Sequence, residues 1–225
     1  VLFRSLASSK AYTPKAASPA MIDFASWSKE VGKSHTDSVS KLILASSQTP
    51  GGMSVPRMQL ARYYASTGLA AEALGVLRAI SHDDQTAESN VPYRIVRALS
   101  NIEMARYKEA MEDLSIETLG DDPHAALWRG LAAAGARDWR QARNNLIVAL
   151  KVVNQYPNEW NARARVALAQ AALALGETGT SKLAIEGMPK VNVSSATIAE
   201  ATLARALNEE AFQKRESAMP LLDQL

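Results

Sequence analysis

Downstream of Ser54 the apolar positions fall at helical spacing, in short blocks divided by glycine, proline or polar breaks. Ala70, Ala73, Leu74 and Leu77 form one stripe, and residues 167–176 read Ala-Leu-Ala-Gln-Ala-Ala-Leu-Ala-Leu-Gly. The blocks predict helices in pairs. The first pair takes Ser54 as N-cap with Pro56 in the first turn, runs to Thr67 and turns at Gly68. A polar loop carrying His82-Asp83-Asp84 and Asn90-Val91-Pro92 separates it from a second pair over 93–117, which turns near Ala105. The third pair begins after Asp121-Asp122-Pro123, a carboxylate cap with proline just inside the helix, and turns at Arg137-Asp138. Its second helix is expected to run to Asn154, before Tyr156-Pro157-Asn158. The fourth opens near Trp160, and Thr178, Gly179, Thr180 and Gly187 dilute its second helix, which Pro189 ends. A fifth starts near Ser195, with Pro220 interrupting its second helix.

Upstream, Val39, Leu42 and Ile43 share one face of a helix expected over 36–47 and stopped by Pro50-Gly51-Gly52. Residues 1–20 carry Ser, Ala, Lys, Pro14 and Pro19 without a period and read as a linker. Ile22, Phe24 and Trp27 supply enough apolar surface for 21–33 to dock on the helices that follow without forming an element. Residues 1–33 are thus read as a flexible lead, and 34–225 as a repeat domain with units over 54–81, 93–117, 123–155, 159–188 and 195–225.

The repeat itself is visible in three Arg-small-Leu triplets, Arg97-Ala98-Leu99, Arg129-Gly130-Leu131 and Arg205-Ala206-Leu207. Each is followed at fixed offsets by an Ala and a Leu: Ala110 and Leu114, Ala142 and Leu146, Ala218 and Leu222. The equivalent slot of the second helices holds Ala73, Ala110, Ala142, Ser181 and Ala218, in steps of 37, 32, 39 and 37. A period in the thirties is the mark of stacked helical hairpins. The chain resembles the tetratricopeptide repeat family on Ala98, Ala105, Tyr107, Ala110 and Leu114 of the second unit. Gly130, Trp139, Ala142 and Leu146 carry the likeness in the third unit, and Ala61, Tyr64, Gly68, Ala73 and Leu77 in the first. The fourth keeps Leu168, Ala169 and Gly176 but places Thr178 and Ser181 where an aromatic residue and Ala belong. The resemblance implies an all-α, right-handed superhelical solenoid of about five hairpins. Arg97, Arg129 and Arg205 fall where that family usually buries a Leu, which implies rotated helix faces in those units. The Ala-rich, degenerate repeats resemble arrays in large bacterial envelope or cytoplasmic proteins.

Composition narrows the picture. Hydrophobic content of 47% with 21% charge belongs to a folded chain, and 6% aromatics with abundant Ala favours closely approaching helices over a sandwich or barrel. A formal net charge of +2 argues against a general nucleic-acid binder. Without Cys there is no disulfide, thiolate metal site or Cys nucleophile. No apolar run reaches the roughly 18 residues of a membrane span. Cysteine usage leaves the compartment open between cytoplasm and periplasm. The start at Val1 and the end within an expected helix read as a piece of a longer polypeptide.

Signatures of catalysis are missing. His35, His82 and His124 have no metal-ligand spacing and are expected to be solvated at helix ends and loops. Pro50-Gly51-Gly52 lacks the Lys-Ser/Thr of a phosphate loop, and no nucleophile elbow occurs. The paired carboxylates Asp83-Asp84 and Asp121-Asp122 are read as a solvated loop and a helix cap. Nothing asks for a cofactor, and a non-catalytic chain is expected. Trp27, Trp128, Trp139 and Trp160 are read as packing between hairpins.

Arg97, Arg129 and Arg205 are the candidate partner-binding residues. As a row they would hold carboxylates of an acidic peptide; the competing reading pairs each with a neighbour such as Glu103, Glu112, Asp113 or Glu209. Leu168 interrupts the row, with Arg163 and Arg165 a turn earlier. If the first helix of each pair lines the concave side, Leu99, Leu131 and Leu207 would form an apolar groove with Met58, Ile95, Leu127, Val166 and Leu203. The groove would take a helical or acidic protein partner, unless rotation buries these residues instead. The expected function is a protein-binding or scaffolding module of a larger bacterial protein. The alternatives are a rigid spacer whose groove is filled in cis, and the superhelical arm of an enzyme, such as a cell-wall lytic one, whose catalytic domain lies elsewhere.

Overall fold

The computed structural model describes residues 20–49 and 51–211. Among these residues the regular structure is helical, with no strand. The helices are α1 (Phe24–Trp27), α2 (His35–Gln48), α3 (Val55–Ser66), α4 (Ala70–Asp83), α5 (Val91–Glu103) and α6 (Tyr107–Leu114). They continue as α7 (Pro123–Gly135), α8 (Trp139–Ala149), α9 (Asn158–Ala174), α10 (Thr178–Glu186) and α11 (Ser195–Ala211). The protein is therefore all-α over its described length.

Helices α3 to α10 form four consecutive pairs joined by three-residue turns. Each turn has one residue in the left-handed region: Gly68, Ala105, Arg137 and Gly176. The amide after it reaches back five residues in every case, from Leu69 to the Tyr64 carbonyl, Arg106 to Asn101, Asp138 to Ala133 and Glu177 to Ala172, at 2.8–2.9 Å. This is the Schellman closure, which satisfies carbonyls that the helix end would leave orphaned. The left-handed residues are spaced 37, 32 and 39 apart. Those are the steps read from Ala73, Ala110, Ala142 and Ser181, so one turn geometry recurs in register while the loops between pairs vary.

Packing follows chain order. Within each pair the two helices pack together, and the second then packs on the first helix of the next pair. First helices also meet directly, α3 with α5, α5 with α7, α7 with α9, and α9 with α11. Small residues allow this closeness. Ala73, Ala110 and Ala142 are fully buried. A Cβ added to Gly130 would lie 2.5 Å from Leu146 Cγ, so the first and second helices of the third pair touch at a point where no side chain fits.

Several boundaries differ from the sequence expectation, each for a local reason. Ser54 occupies the N-cap of α3, yet its hydroxyl makes no cap bond. Pro56 at the second helical position removes one of the two amides that such a hydroxyl could accept from. Helix α8 stops at Ala149 instead of continuing to Asn154, because the chain folds into a 3-10 turn, Val153–Gln155, that buries Val152 and Val153. The diluted helix of the fourth pair forms over nine residues, Thr178–Glu186. Ser181 stands in its Ala slot because its hydroxyl accepts from Asn208 Nδ2 at 2.8 Å, joining α10 to α11. Ala218, Leu222 and Pro220 of the expected fifth pair lie outside the described residues.

The lead also departs from expectation. Besides docking through Ile22, Phe24 and Trp27, it forms an element. The Asp23 carboxylate accepts from the Ser26 amide at 3.0 Å and starts the single turn of α1.

Candidate functional site

The three arginines expected to form a row have three different environments. Arg97 is held inside the fold: Nε and Nη2 donate to the two oxygens of Asp113 at 2.9 and 2.7 Å, and Nη1 lies 3.3 Å from Glu88. Its guanidinium also stacks 5.1 Å from the Tyr93 ring centroid. The hydrogen bonds that Arg97 donates to Asp113 hold its pKa above the ordinary range in spite of burial. Arg129 ties down a loop, donating Nε to the Leu114 carbonyl and Nη1 to the Gly120 carbonyl, each at 2.8 Å. Burial lowers its pKa, against the pull of Asp121 and Asp122. Arg205 is exposed beside Glu186 and Glu209. Counted back eight residues from each left-handed turn, the slot holds Leu60, Arg97, Arg129 and Leu168. Leu60 and Leu168 are buried there, and the two arginines spend their donors on the fold instead.

The apolar groove is likewise largely internal. Leu99 is 1% exposed and Leu131 7%, and both sit in the core with Met58, Leu127 and Val166. Leu207, 43% exposed, remains at the surface with Leu203. The helix faces are rotated so that Leu99 and Leu131 fill the contacts between helices, the second of the two readings that the sequence left open, while Leu203 and Leu207 stay outside.

The histidines differ as well. His82 is exposed. His35 Nδ1 lies 2.9 Å from the Tyr63 hydroxyl and stacks on its ring, while His124 is fully buried, 2.9 Å from the Tyr156 hydroxyl. His124 is thus a core residue, not a solvated one. Asp83 pairs with Arg57 across the α3–α4 pair, Asp84 accepts from the Thr86 amide and hydroxyl, and Asp122 caps α7 through the His124 amide. No group of three or more metal-ligating side chains exists among the described residues. No helix there is long and apolar enough to cross a membrane.

The feature that the sequence pattern hid is the path of residues 20–28. Ile22 is buried, and Phe24 enters a box of three rings from distant helices and loops. Trp160 lies 5.7 Å away between centroids, Trp128 6.1 Å and Tyr156 6.5 Å. Trp128 and Trp160 themselves meet edge-on at 4.8 Å. Burial pushes the Tyr156 phenol up to about 12, against the contrary pull of Trp128 and of the Met21 and Ile22 backbone. Four residues after Phe24's neighbour Asp23, Trp27 lies under the Arg62 guanidinium of α3. A segment whose packed part is only six residues long thus runs from the start of the fourth pair to the middle of the first. Such a length spans at most about 20 Å even when fully extended. The faces of α3 and α9 must therefore approach each other. The ion pair of Arg163 on α9 with Glu103 on α5, at 2.6 Å, bridges over α7 in the same way. Arg163 also covers the Trp160 ring at 4.1 Å. The clue in the sequence was Trp128, Tyr156 and Trp160, three large rings within or just before two consecutive first helices; only their joint occupation by Phe24 was missing.

A second junction fixes α11. Glu159, in the first turn of α9, accepts from the Ser194 amide at 2.7 Å, the Ser194 hydroxyl at 3.0 Å and the Thr197 hydroxyl at 2.8 Å. Burial raises the Glu159 carboxyl, but these donors outweigh it and leave the pKa below the ordinary carboxylate value. A folded pKa lowered in this way contributes stability above the unfolded value, and the contribution is lost as pH falls through the folded one. Thermal melts between pH 6 and pH 3 should therefore show Glu159→Gln less stable than the parent near neutrality, with the two converging in acid. A constant gap across that range would contradict the role given to this carboxylate.

Against this geometry, comparison with family models, curated proteins and solved structures finds no match for the chain.

Proposed function

We propose that the chain is a non-catalytic, tetratricopeptide-like repeat module that recognises short peptide segments carrying an aromatic anchor. Its helix pairs would stack as a solenoid, with the first helices on the inner arc. The recurrent Schellman turns, the direct contacts between first helices and the Arg163–Glu103 bridge support that architecture. The observation that carries the functional reading is the seating of residues 20–28 across first helices. The array grips a peptide already, and that peptide is its own. Phe24 in its ring box is the anchor, as aromatic side chains in desolvated pockets are in peptide recognition generally.

A tethered segment competes with an effective concentration of about a millimolar. An external peptide must displace it, so partner binding to the parent chain is weakened by self-occupancy. The same occupancy favours a second reading, a rigid spacer whose inner face is permanently filled in cis.

One experiment separates them. A synthetic peptide of residues 20–28 is titrated by calorimetry into the full chain and into its Phe24→Ala/Trp27→Ala variant, with helicity checked first. The binding module predicts saturable binding to the variant, with Kd at or below about 1 mM, and at least tenfold weaker binding to the parent. A folded variant that ignores the peptide supports the spacer.

A further inference from the structure

Where the docked segment leaves the array, it closes one side of a cavity of about 290 Å3 against α2 and α3. Trp27 and Lys29 come from the segment, and Gln59, Arg62 and Tyr63 from α3. Val31 and Leu42 complete an apolar wall, and no carboxylate lines the space among the described residues.

Arg62 is the anomaly. Six residues before the left-handed turn, the second and third pairs bury Leu99 and Leu131, while the first pair places this arginine. Its Nε is buried and has no hydrogen-bond partner among the described residues. Elsewhere, Arg94, Arg97, Arg129, Arg143 and Arg165 each direct Nε to an acceptor, a carboxylate, a carbonyl or an amide oxygen. Among the described residues Arg62 has only the face of Trp27, its guanidinium carbon 5.5 Å from the ring centroid. A desolvated N–H without an acceptor is costly, and more so when charged, so a fold seldom leaves one without a reason.

We propose that this cavity is a binding site for a carboxylate carried on an aromatic or short apolar body. The Nη edge of the guanidinium would take the carboxylate in its planar fork, and the anion would offset the charge beside the desolvated Nε. Lys29 adds a second positive charge and Gln59 an amide donor. Trp27, Val31 and Leu42 give the body of the ligand an apolar wall, and the volume limits its size to something near a single aromatic amino acid. The ligand is either a free small acid or the terminal carboxylate of a peptide, since both present the same chemistry. This site is distinct from the ring box of Phe24 and stands whether or not that box binds peptides in trans.

The test uses the full chain labelled with 15N and follows the Arg62 side-chain Nε–H resonance, assigned by its loss in Arg62→Lys. Sodium benzoate is titrated first, then benzamide, its uncharged counterpart. Next come N-acetyl-glycyl-phenylalanine with a free carboxylate and the same peptide as its amide. The expected result is a saturable shift with benzoate and none with benzamide. Lys29→Gln, an exposed position that the fold does not need, should weaken benzoate about threefold, and Arg62→Gln at least about tenfold, as loss of a charge-assisted bond implies. A response to the peptide acid stronger than to benzoate supports the site and assigns it to chain termini; the reverse supports it for free acids. If Arg62→Gln fails to fold, the parent's benzoate and benzamide titrations decide alone. An Nε–H that does not move at tens of millimolar benzoate, or that moves equally with benzamide, overturns the proposal.

Discussion

Trp128→Ala is expected to destabilise the protein by about 3–5 kcal/mol, the range for deleting a fully buried large ring from a packed core. Trp128 is 1% exposed and touches Trp160, Tyr156 and Phe24 at once. The cavity cannot collapse easily, because its walls belong to α7, to the approach to α9 and to the docked segment. Urea unfolding gives the size of the loss. Hydrogen exchange gives its location, since detachment of residues 20–28 should release the Trp27 and Ser28 amides, bonded to the Asp23 and Phe24 carbonyls, before those of the long helices. Trp128→Phe should retain most of the stability and the protection. A loss below about 1 kcal/mol on Trp128→Ala, with the Trp27 amide still protected, would show that the ring cluster does not hold the segment.

Arg97→Gln should cost about 3 kcal/mol, and it should do so by stranding Asp113. That carboxylate has a side chain only 3% exposed and both oxygens committed to Arg97. Removing one member of a buried ion pair leaves the other charge without compensation, which is costlier than the pair itself is worth. Two controls follow from the same physics. Asp113→Asn should cost less, because Arg97 keeps Glu88 and the Tyr93 ring. Replacing both residues by Leu should recover much of the loss. If Arg97→Gln instead leaves the unfolding midpoint unchanged, Arg97 is available to a partner, and the row of arginines regains its first reading.

The helices and their register were legible in the sequence because both rest on local physics. The spacing of Ala73, Ala110, Ala142 and Ser181 survives because the left-handed turn sits at a constant offset before each slot. The Asp122-Pro123 cap is likewise readable, since its partners are neighbours in the chain. What stayed open was the choice of faces. Leu99 and Leu131 could be assigned to a groove or to the core only by knowing how far each helix is rotated, and that is set by contacts with the next pair. The arginine slots misled for the same reason. Equivalent positions in a repeat share a backbone but not neighbours, so Arg97 found Asp113, Arg129 found two carbonyls, and Arg205 lies at the surface. The ring box around Phe24 joins residues more than a hundred positions apart, a separation no periodicity records.

The path of residues 20–28 also bears on how such a chain can evolve. Repeat arrays ordinarily lengthen or shorten by duplicating or losing whole units, because each unit answers only to its neighbours. Here a strap of fixed length starts beside Tyr156 and ends under Arg62, and so measures the array between the first pair and the fourth. A unit inserted between them would carry the box beyond the reach of Phe24, and a unit deleted would remove a wall. Within that interval the number of repeats is locked, and growth is left to the ends.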